Sequence, residues 1–167
     1  AHSVHLTRKA AELGVDAVLA VTPYYNRPPR AGIVGHFRAI ADVGIPVIVY
    51  NIPSRCVINL PPDLLRELSE INNIIGVKEA NPDQVDGTLA IEDFLVYAGN
   101  DDLLLPIVSG GGDGVISVAS HLVGDQMQAI CAAARAGDHT EASRLDRALH
   151  GLYQGLFVTT SPILIKA

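Results

Sequence analysis

The feature that most constrains the fold is a repeated alternation between short apolar runs and longer helical patterns. Five runs rich in β-branched residues occur along the chain. They are "DAVLAVT" (16–22), "PVIVYN" (46–51), "IIGVK" (74–78), "FLVYAG" (94–99) and "GVISVA" (114–119). Each run is almost continuously apolar, which is typical of parallel strands that are covered on both faces. Repeated strand and helix units therefore predict an α/β fold with a parallel sheet.

The segments between these runs carry the signals of helices. "AHSVHLTRKAAELG" reads as a helix already under way that ends at Gly14, and later helices follow prolines, which the first turn of a helix tolerates. The remaining predicted helices are residues 31–44, 62–71, a weaker segment at 82–91, 101–111, 125–136 and 138–156. No linker, charge block or low-complexity segment interrupts the pattern, so we predict one domain.

A parallel sheet of this kind is either an open doubly wound sheet or a barrel, and the residues after the strands favour the barrel. No glycine-rich dinucleotide fingerprint follows any predicted strand. Polar or reactive residues instead follow successive strands, where barrel enzymes place their sites. They are Tyr24-Tyr25, Tyr50-Asn51, Lys78-Glu79 and Gly99-Asn100.

The predicted barrel is incomplete. Five strands cannot close an eight-stranded barrel, and 167 residues fall well below the roughly 250 that are typical of that fold. We therefore expect that about three strand and helix units are missing upstream, and that the chain is a piece of a longer protein. Within the one predicted domain, residues 1–124 form the partial barrel and residues 125–167 form an appended C-terminal helical region.

Composition excludes several classes of function. A formal net charge of −6 without a basic cluster argues against nucleic acid and against an anionic membrane surface as partners. Cys56 and Cys131 match no metal spacing or disulfide framework, and the six histidines show no ligand spacing, so we predict no metal. No apolar run approaches the roughly 18 residues that span a bilayer. We therefore predict a cytoplasmic protein.

Lys78 is the most unusual residue, because it ends an almost wholly apolar run. Lys9, Lys78 and Lys166 are the only lysines in the chain, and burying an ammonium is costly. On a strand, Lys78 shares a face with Gly76, which we expect to leave open space below it, whereas Glu79 lies on the opposite face. Desolvation favours the neutral amine, a nucleophile toward carbonyls. The stretch alone leaves two interpretations open: a Schiff-base lysine, or a strand-end lysine whose amine reaches solvent.

A second stretch, "VYNIPSR", places Tyr50 at a strand end and Arg55 in the loop that follows. A phenol can move protons at an imine, and an arginine can bind a carboxylate with two parallel hydrogen bonds. Taken separately, Tyr50 is more simply a packing residue and Arg55 a surface residue. Together with "GVKEA", the stretch resembles the second signature of the dihydrodipicolinate synthase and N-acetylneuraminate lyase family.

The resemblance extends over essentially the whole chain. "VTPYYNRPP", "AGNDD" and "GGGDGVISV" look like the fourth, seventh and eighth strand regions of the family's (β/α)8 TIM barrel. The resemblance thus implies that strands 4–8 are present together with C-terminal helices. Arg55 and the paired tyrosines look like the synthase branch, because lyases of the sialic acid branch do not usually carry that arginine.

The resemblance implies a reaction and its central residues. Lys78 would form an imine with pyruvate, Tyr50 would relay protons, and Arg55 would bind the carboxylate of L-aspartate-4-semialdehyde. The product would be 4-hydroxy-tetrahydrodipicolinate, an intermediate of lysine (diaminopimelate) biosynthesis. The imine is covalent, so no separate cofactor is implied.

The resemblance also implies roles for four other residues. Tyr25 would complete the proton relay by reaching across a dimer interface, in a homo-oligomer that is a dimer of dimers. Gly99 and Ile116 match positions whose backbone lines the pyruvate pocket. Tyr24 matches a residue at the L-lysine feedback site of regulated members.

Two departures and two alternatives accompany this interpretation. The family's relay threonine and threonine-rich loop have no counterpart here, and Cys56-Val57 stand where threonine and glycine are frequent. One alternative is another pyruvate-dependent class I aldolase, such as a 2-keto-3-deoxy sugar acid aldolase or N-acetylneuraminate lyase. The other is an inactive fragment that acts only by association.

Overall fold

The computed structural model describes residues 2–167, and it confirms an α/β fold with strands and helices in alternation. Five strands form one sheet with neighbours in chain order, and the first three strands pair in parallel, as do the last two. The residues separate into two compact units, one ending at Val96 and the other comprising Tyr97–Ala167. Across residues 2–167, no helix combines the length and apolar character that crossing a bilayer requires.

The first unit contains three complete strands and begins a fourth. Its elements are α1 (His2–Glu12), β1 (Val18–Val21), α2 (Arg30–Ala41), β2 (Val47–Asn51), α3 (Pro53–Cys56), α4 (Pro62–Ser69), β3 (Ile74–Glu79), a 3₁₀ turn (Pro82–Gln84), α5 (Val85–Leu89) and the start of β4 (Leu95–Ala98). Gly14 follows α1 with a φ of 76°, as its predicted role at the end of that helix requires. The predicted segment at 82–91 is thus a 3₁₀ turn joined to a short helix.

The register of β2 and β3 separates their side chains into two sets. Tyr50 pairs with Lys78, and Asn51 pairs with Glu79. Because side chains alternate along a strand, Tyr50 and Lys78 point to one face of the sheet, and Asn51 and Glu79 point to the other. The second face also carries Val49 and Val77, which are fully buried. Burial of such a side chain contributes roughly 1.5–3 kcal/mol to the free energy of unfolding.

Gly76 has a different role from the one expected. A Cβ at this position would lie 2.5 Å from the backbone oxygen of Leu95 and 2.7 Å from its Cβ. The space beside Gly76 is therefore occupied by the backbone of β4, and the prediction of open space below Lys78 is wrong. Glycine is needed here because two strands approach each other closely.

The segment after β2 is a single helical turn rather than a loop. Pro53 occupies the first turn of α3, where its fixed φ suits a helix and its missing N–H leaves no bond unmade. Cys56 is buried, and the neighbouring Arg55 is exposed. Val57 ends α3 in the left-handed region with a φ of 64°, and its N–H donates to the carbonyl of Pro53.

Replacing Val57 with glycine should stabilise the protein. Positive φ strains an L-residue by roughly 1–2 kcal/mol, and a β-branched side chain is poorly suited to it. Glycine relieves that strain, but its greater conformational freedom in the unfolded state lowers the unfolding free energy by about 0.5–1 kcal/mol. Val57 is 61% exposed, so its side chain contributes little burial. We expect Val57→Gly to raise the free energy of unfolding by about 0.5–1 kcal/mol, measured as a higher urea midpoint with an unchanged slope. Val57→Ala, which keeps the Cβ, should not do so, and an equal gain from alanine would contradict the explanation.

The second unit is built mainly from helices. Its elements are the end of β4, a 3₁₀ turn (Asp101–Leu103), α6 (Leu104–Ser109), β5 (Gly114–Val115), α7 (Ser120–Arg135), α8 (His139–Leu156) and α9 (Ile163–Lys166). Buried side chains from α6, α7 and α8 form one apolar cluster. They include Leu104, Val108, Met127, Ile130, Tyr153 and Leu156.

The strand predicted at 114–119 is much shorter in the structure, because a buried carboxylate redirects the chain. Asp101 accepts hydrogen bonds from the N–H of Val118 at 3.2 Å, from the N–H of Ala119 at 3.0 Å and from the hydroxyl of Ser117. These donors are therefore turned toward Asp101 just before α7. Ile116 continues the ladder beyond β5, since its N–H donates to the carbonyl of Ala98 at 3.0 Å.

Helix α7 begins earlier than predicted and contains an interruption. It starts at Ser120 and has non-helical angles at Val123, so the regular part agrees with the predicted segment at 125–136. The predicted boundary between residues 124 and 125 falls inside this helix. The division into a partial barrel and an appended helical region stays a prediction.

Candidate active site

Lys78 lies at the end of β3 with its side chain on the sheet face that also carries Tyr50. Only 9% of Lys78 is exposed. Its Nζ lies 4.3 Å from the centroid of the Tyr50 ring, within the range of a cation–π contact. The Lys78 side chain is thus largely buried and its amine lies beside an aromatic ring, as the Schiff-base interpretation requires, and the choice between the two interpretations stays a prediction.

Tyr50 is half-buried, and its surroundings favour the protonated phenol. Burial raises the pKa of Tyr50 above its ordinary value, while the positive charge of Arg55 lowers it by a smaller amount. The parallel register places this phenol next to the amine because Tyr50 and Lys78 are partners across β2 and β3. A protonated phenol beside an amine can donate a proton to a reacting group and later accept one.

Arg55 lies close enough to influence Tyr50 electrostatically, although its own side chain is exposed. The helical turn α3 explains this placement, since Pro53 starts the turn two residues after the end of β2. The first unit thus brings together three of the predicted site residues: an amine, a phenol and a guanidinium. An arrangement of this kind suits a carbonyl substrate that carries a carboxylate.

Tyr24 and Tyr25 are largely exposed in the single chain. They lie in the segment between β1 and α2, where Tyr24 is 68% exposed and Tyr25 is 94% exposed. Tyr25 also has a φ of 76°, which is uncommon for a residue with a side chain. Its predicted contribution to a neighbouring subunit's site stays a prediction.

Gly99 and Ile116 belong to the second unit. Gly99 directly follows β4, and Ile116 directly follows β5. The hydrogen bond from the Ile116 N–H to the Ala98 carbonyl holds these two strand ends side by side. Their predicted roles in a pyruvate pocket stay predictions.

A buried polar group behind the sheet was missed by sequence reasoning, and we call it the Glu79 cluster. Glu79 is completely buried, and both of its carboxylate oxygens accept hydrogen bonds. Burial raises the pKa of the Glu79 carboxyl, and the hydrogen bonds lower it by less. The cluster consists of Glu79, Asn51, Asn59, Asn81, Gln84 and Thr88.

One signal in the sequence could have revealed part of this cluster. Asn51 and Glu79 each follow a candidate catalytic residue, and each ends an apolar run on the face that packs under helices. A polar residue on such a face needs a buried partner. The contributions of Asn59, Gln84 and Thr88 come from other segments and carry no such signal.

No group of three or more histidine, cysteine, aspartate or glutamate side chains in residues 2–167 has the arrangement that a metal ion requires. Cys56 and Cys131 are both free, and burial raises the pKa of each thiol.

A scan against protein-family models decides the family. The model of the dihydrodipicolinate synthetase family matches residues 1–167, which is the whole chain. The chain belongs to the dihydrodipicolinate synthetase family. The resemblance seen in "YNIPSR" and "GVKEA" is thereby confirmed.

Similar curated proteins from this family carry one name. The 4-hydroxy-tetrahydrodipicolinate synthase of Heliobacterium modesticaldum is 48% identical to the chain over 170 residues, covering 99% of the chain and 57% of that protein. The synthase of the same name from Listeria innocua is 46% identical over 172 residues, covering 99% of the chain and 59% of that protein. The chain therefore spans less than three fifths of the length of these relatives.

Solved structures from the family share the fold. A dihydrodipicolinate synthase from Cyanidioschyzon merolae with lysine bound has a TM-score of 0.91 and 40% identity, covering 96% of the chain and 56% of that protein. The chloride-inhibited dihydrodipicolinate synthase from Acinetobacter baumannii, complexed with pyruvate, has a TM-score of 0.93 and 36% identity, covering 98% of the chain and 58% of that protein. The α/β fold of the chain and its parallel strands thus match this family's structures.

Proposed function

We propose that the protein to which this chain belongs is a 4-hydroxy-tetrahydrodipicolinate synthase. It condenses pyruvate, held as an imine on Lys78, with L-aspartate-4-semialdehyde in lysine (diaminopimelate) biosynthesis. The observation that carries the proposal is the buried Lys78 amine 4.3 Å from the Tyr50 ring, in a chain of the dihydrodipicolinate synthetase family. The names of the relatives support the same reaction.

The chemistry begins when the Lys78 amine, after loss of a proton, attacks the keto carbon of pyruvate. The carbinolamine that forms loses water to give the imine, and loss of a proton from the methyl carbon gives an enamine. The enamine carbon then bonds to the aldehyde carbon of the second substrate, whose oxygen takes up a proton. Attack of that substrate's amino group on the imine carbon closes the ring and releases the Lys78 amine. Tyr50 would deliver and accept these protons, and two observations support this role: its ring lies 4.3 Å from the amine, and burial favours its protonated phenol.

The second substrate is proposed to bind through Arg55. The guanidinium is exposed at the end of β2 and α3, where it can meet the carboxylate of L-aspartate-4-semialdehyde. An arginine and a carboxylate form paired hydrogen bonds that are stronger than those of neutral groups. This contact would separate the synthase from aldolases of the same family that act on sugar acids.

The complete protein is proposed to contain an eight-stranded barrel in which β1–β5 are strands 4–8. The three preceding units would supply the remaining pyruvate-binding residues, and Tyr25 would reach a neighbouring subunit in a dimer of dimers. Neither a metal nor a separate cofactor is needed, because the imine itself stabilises the developing carbanion. We further propose a cytoplasmic location, and L-lysine as a feedback inhibitor bound near Tyr24, since the relative from Cyanidioschyzon merolae has been solved with lysine bound.

The test of the proposal is the effect of Arg55→Ala on the two substrates. Charge-assisted bonds to the aldehyde's carboxylate are worth about 1.5–3 kcal/mol, so the Michaelis constant for aspartate semialdehyde should rise by roughly ten- to a hundredfold. Imine formation with pyruvate should persist, since that step depends on Lys78. Steady-state kinetics with each substrate varied, and trapping of the imine, would measure the two effects.

Arg66→Ala provides a matched control for this experiment, because Arg66 is also exposed and lies on α4 of the same unit. It should leave both Michaelis constants unchanged. Equal weakening of both substrates by Arg55→Ala would mark Arg55 as structural. Unchanged kinetics, together with cleavage of 2-keto-3-deoxy sugar acids, would move the function to a sugar acid aldolase.

A further inference from the structure

The Glu79 cluster contains a carboxylate whose hydrogen-bonding capacity is filled by donors. Oε1 accepts from Asn51 Nδ2 at 2.9 Å and from the N–H of Asn81 at 2.7 Å. Oε2 accepts from Gln84 Nε2 at 2.8 Å and from Thr88 Oγ1 at 3.2 Å. Two acceptor sites on each oxygen account for the capacity of an ionised carboxylate.

Hydrogen bonds of the cluster also connect the ends of β2 and β3, the two strands that carry the candidate catalytic residues. Asn51 uses its second amide hydrogen to reach Asn59 at 3.0 Å, and its Oδ1 accepts from the N–H of Leu60 at 3.0 Å. The carbonyl of Asn51 accepts from the N–H of Ala80 at 3.0 Å. Side-chain and backbone bonds therefore connect the last residue of β2 to the residues that end β3.

The relation of the cluster to Lys78 and Tyr50 follows from strand geometry. Asn51 and Glu79 are register partners, and each comes one residue after Tyr50 or Lys78. Their side chains lie on the opposite face of the sheet from the amine and the phenol. Because Asn51 follows Tyr50 and Glu79 follows Lys78 on one backbone, a shift of the strand ends would also move the Tyr50 and Lys78 side chains.

We propose that Glu79 is a positioning residue that fixes the Lys78 amine against the Tyr50 phenol from the opposite face of the sheet. The catalytic consequence of this inference rests on the proposed function. Glu79 does not touch substrate in this scheme and acts only through the strand ends. A buried carboxylate is costly to desolvate, and an apolar side chain would fill the same volume more cheaply, so stability alone does not account for a glutamate here.

The first experiment compares Glu79→Gln with a variant of similar burial outside the cluster, measured in the complete protein. Glutamine keeps the volume but places an amide N–H₂ against groups that already donate hydrogen bonds. Misplacement of reacting groups by about 1 Å can lower a rate by roughly 10²-fold, so we expect the rate constant for imine formation with pyruvate to fall by about ten- to a hundredfold. The Michaelis constant for aspartate semialdehyde should change by less than about threefold, because Arg55 is retained.

Leu68→Ala is the matched control for a purely structural role. Leu68 is fully buried on α4 in the same unit and belongs to no part of the cluster. It should lower stability while leaving the kinetic constants of the folded enzyme near those of the wild type. If Glu79→Gln behaves in the same way, with lower stability and normal kinetics, the positioning role is overturned.

A second experiment measures the placement of Lys78 without any catalysis. Reductive methylation with limiting formaldehyde and cyanoborohydride, followed by peptide mass analysis, gives the labelling ratio of Lys78 to the exposed Lys9. In Glu79→Gln the end of β3 should open locally more often, so the labelling ratio should rise by about threefold or more. In Leu68→Ala the ratio should rise by less than about twofold. An unchanged ratio overturns the inference, whatever the kinetics.

Thr88 offers a pair of variants that retain the carboxylate. Thr88→Val removes one of the four donors to Glu79 at nearly constant volume, whereas Thr88→Ser keeps the hydroxyl. The valine variant should raise the labelling ratio, and the serine variant should not. If Glu79→Gln does not fold, this pair of variants can still refute the inference. The two proposals can fail separately. If the wild-type protein forms no imine with pyruvate but the variants still show raised labelling of Lys78, the positioning role is supported and the proposed function is refuted.

Discussion

Lys78→Ala should abolish turnover in the complete protein while leaving the fold intact. In the proposed scheme the amine forms the covalent bond to the keto carbon, so its loss removes the reaction path rather than slowing one step. The side chain ends β3 and packs beside Tyr50, and truncation there leaves the buried valines of the other face in place. Circular dichroism and the thermal midpoint would establish that the variant is folded.

Borohydride reduction in the presence of pyruvate identifies the lysine directly. The peptide that contains Lys78 should gain the mass of a reduced pyruvate adduct, and Lys78→Ala should show no such gain. Lys9→Ala and Lys166→Ala are the controls, because both side chains are exposed and should be dispensable for turnover. An adduct confined to Lys9 or Lys166 would refute the assignment of Lys78.

Tyr50→Phe and Tyr25→Phe should each lower the turnover rate by roughly 10²- to 10⁴-fold, the usual contribution of an acid or base group. For Tyr50 the reason is its phenol beside the amine, which burial keeps protonated. For Tyr25 the reason is the proposed contact across a subunit boundary, since its side chain is 94% exposed in the single chain. Steady-state kinetics would measure both losses, and Tyr97→Phe, a tyrosine outside the proposed relay, is the control.

Mixing the two tyrosine variants distinguishes a shared site from a site within one chain. If Tyr25 serves the neighbouring subunit, a mixed dimer of Tyr25→Phe and Tyr50→Phe chains contains one site with both phenols, and some activity should return. Subunit exchange can be verified by native mass spectrometry of chains that carry different tags. Exchange without recovery would show that the relay lies within one chain.

The alternation of strands and helices, and the sheet face on which each strand side chain lies, could be predicted from the sequence. The apolar runs predicted all five strands, because strands buried on both faces leave a continuous apolar pattern. The period of two residues placed Lys78 and Glu79 on opposite faces, and the register in the structure agrees. The motifs around Tyr50 and Lys78 also identified the family, which the family model confirms over residues 1–167.

Contacts between segments that are distant in the sequence were decided only by the tertiary structure. Gly76 was expected to leave space, but the backbone of β4 occupies that space. The prediction failed because a local sequence pattern does not show which strand lies beside the glycine. The last predicted strand is shortened since Asp101 captures donors from residues 117–119, a bond set that no propensity encodes. The donors around Glu79 come from four separate positions, and only folding brings them to one carboxylate.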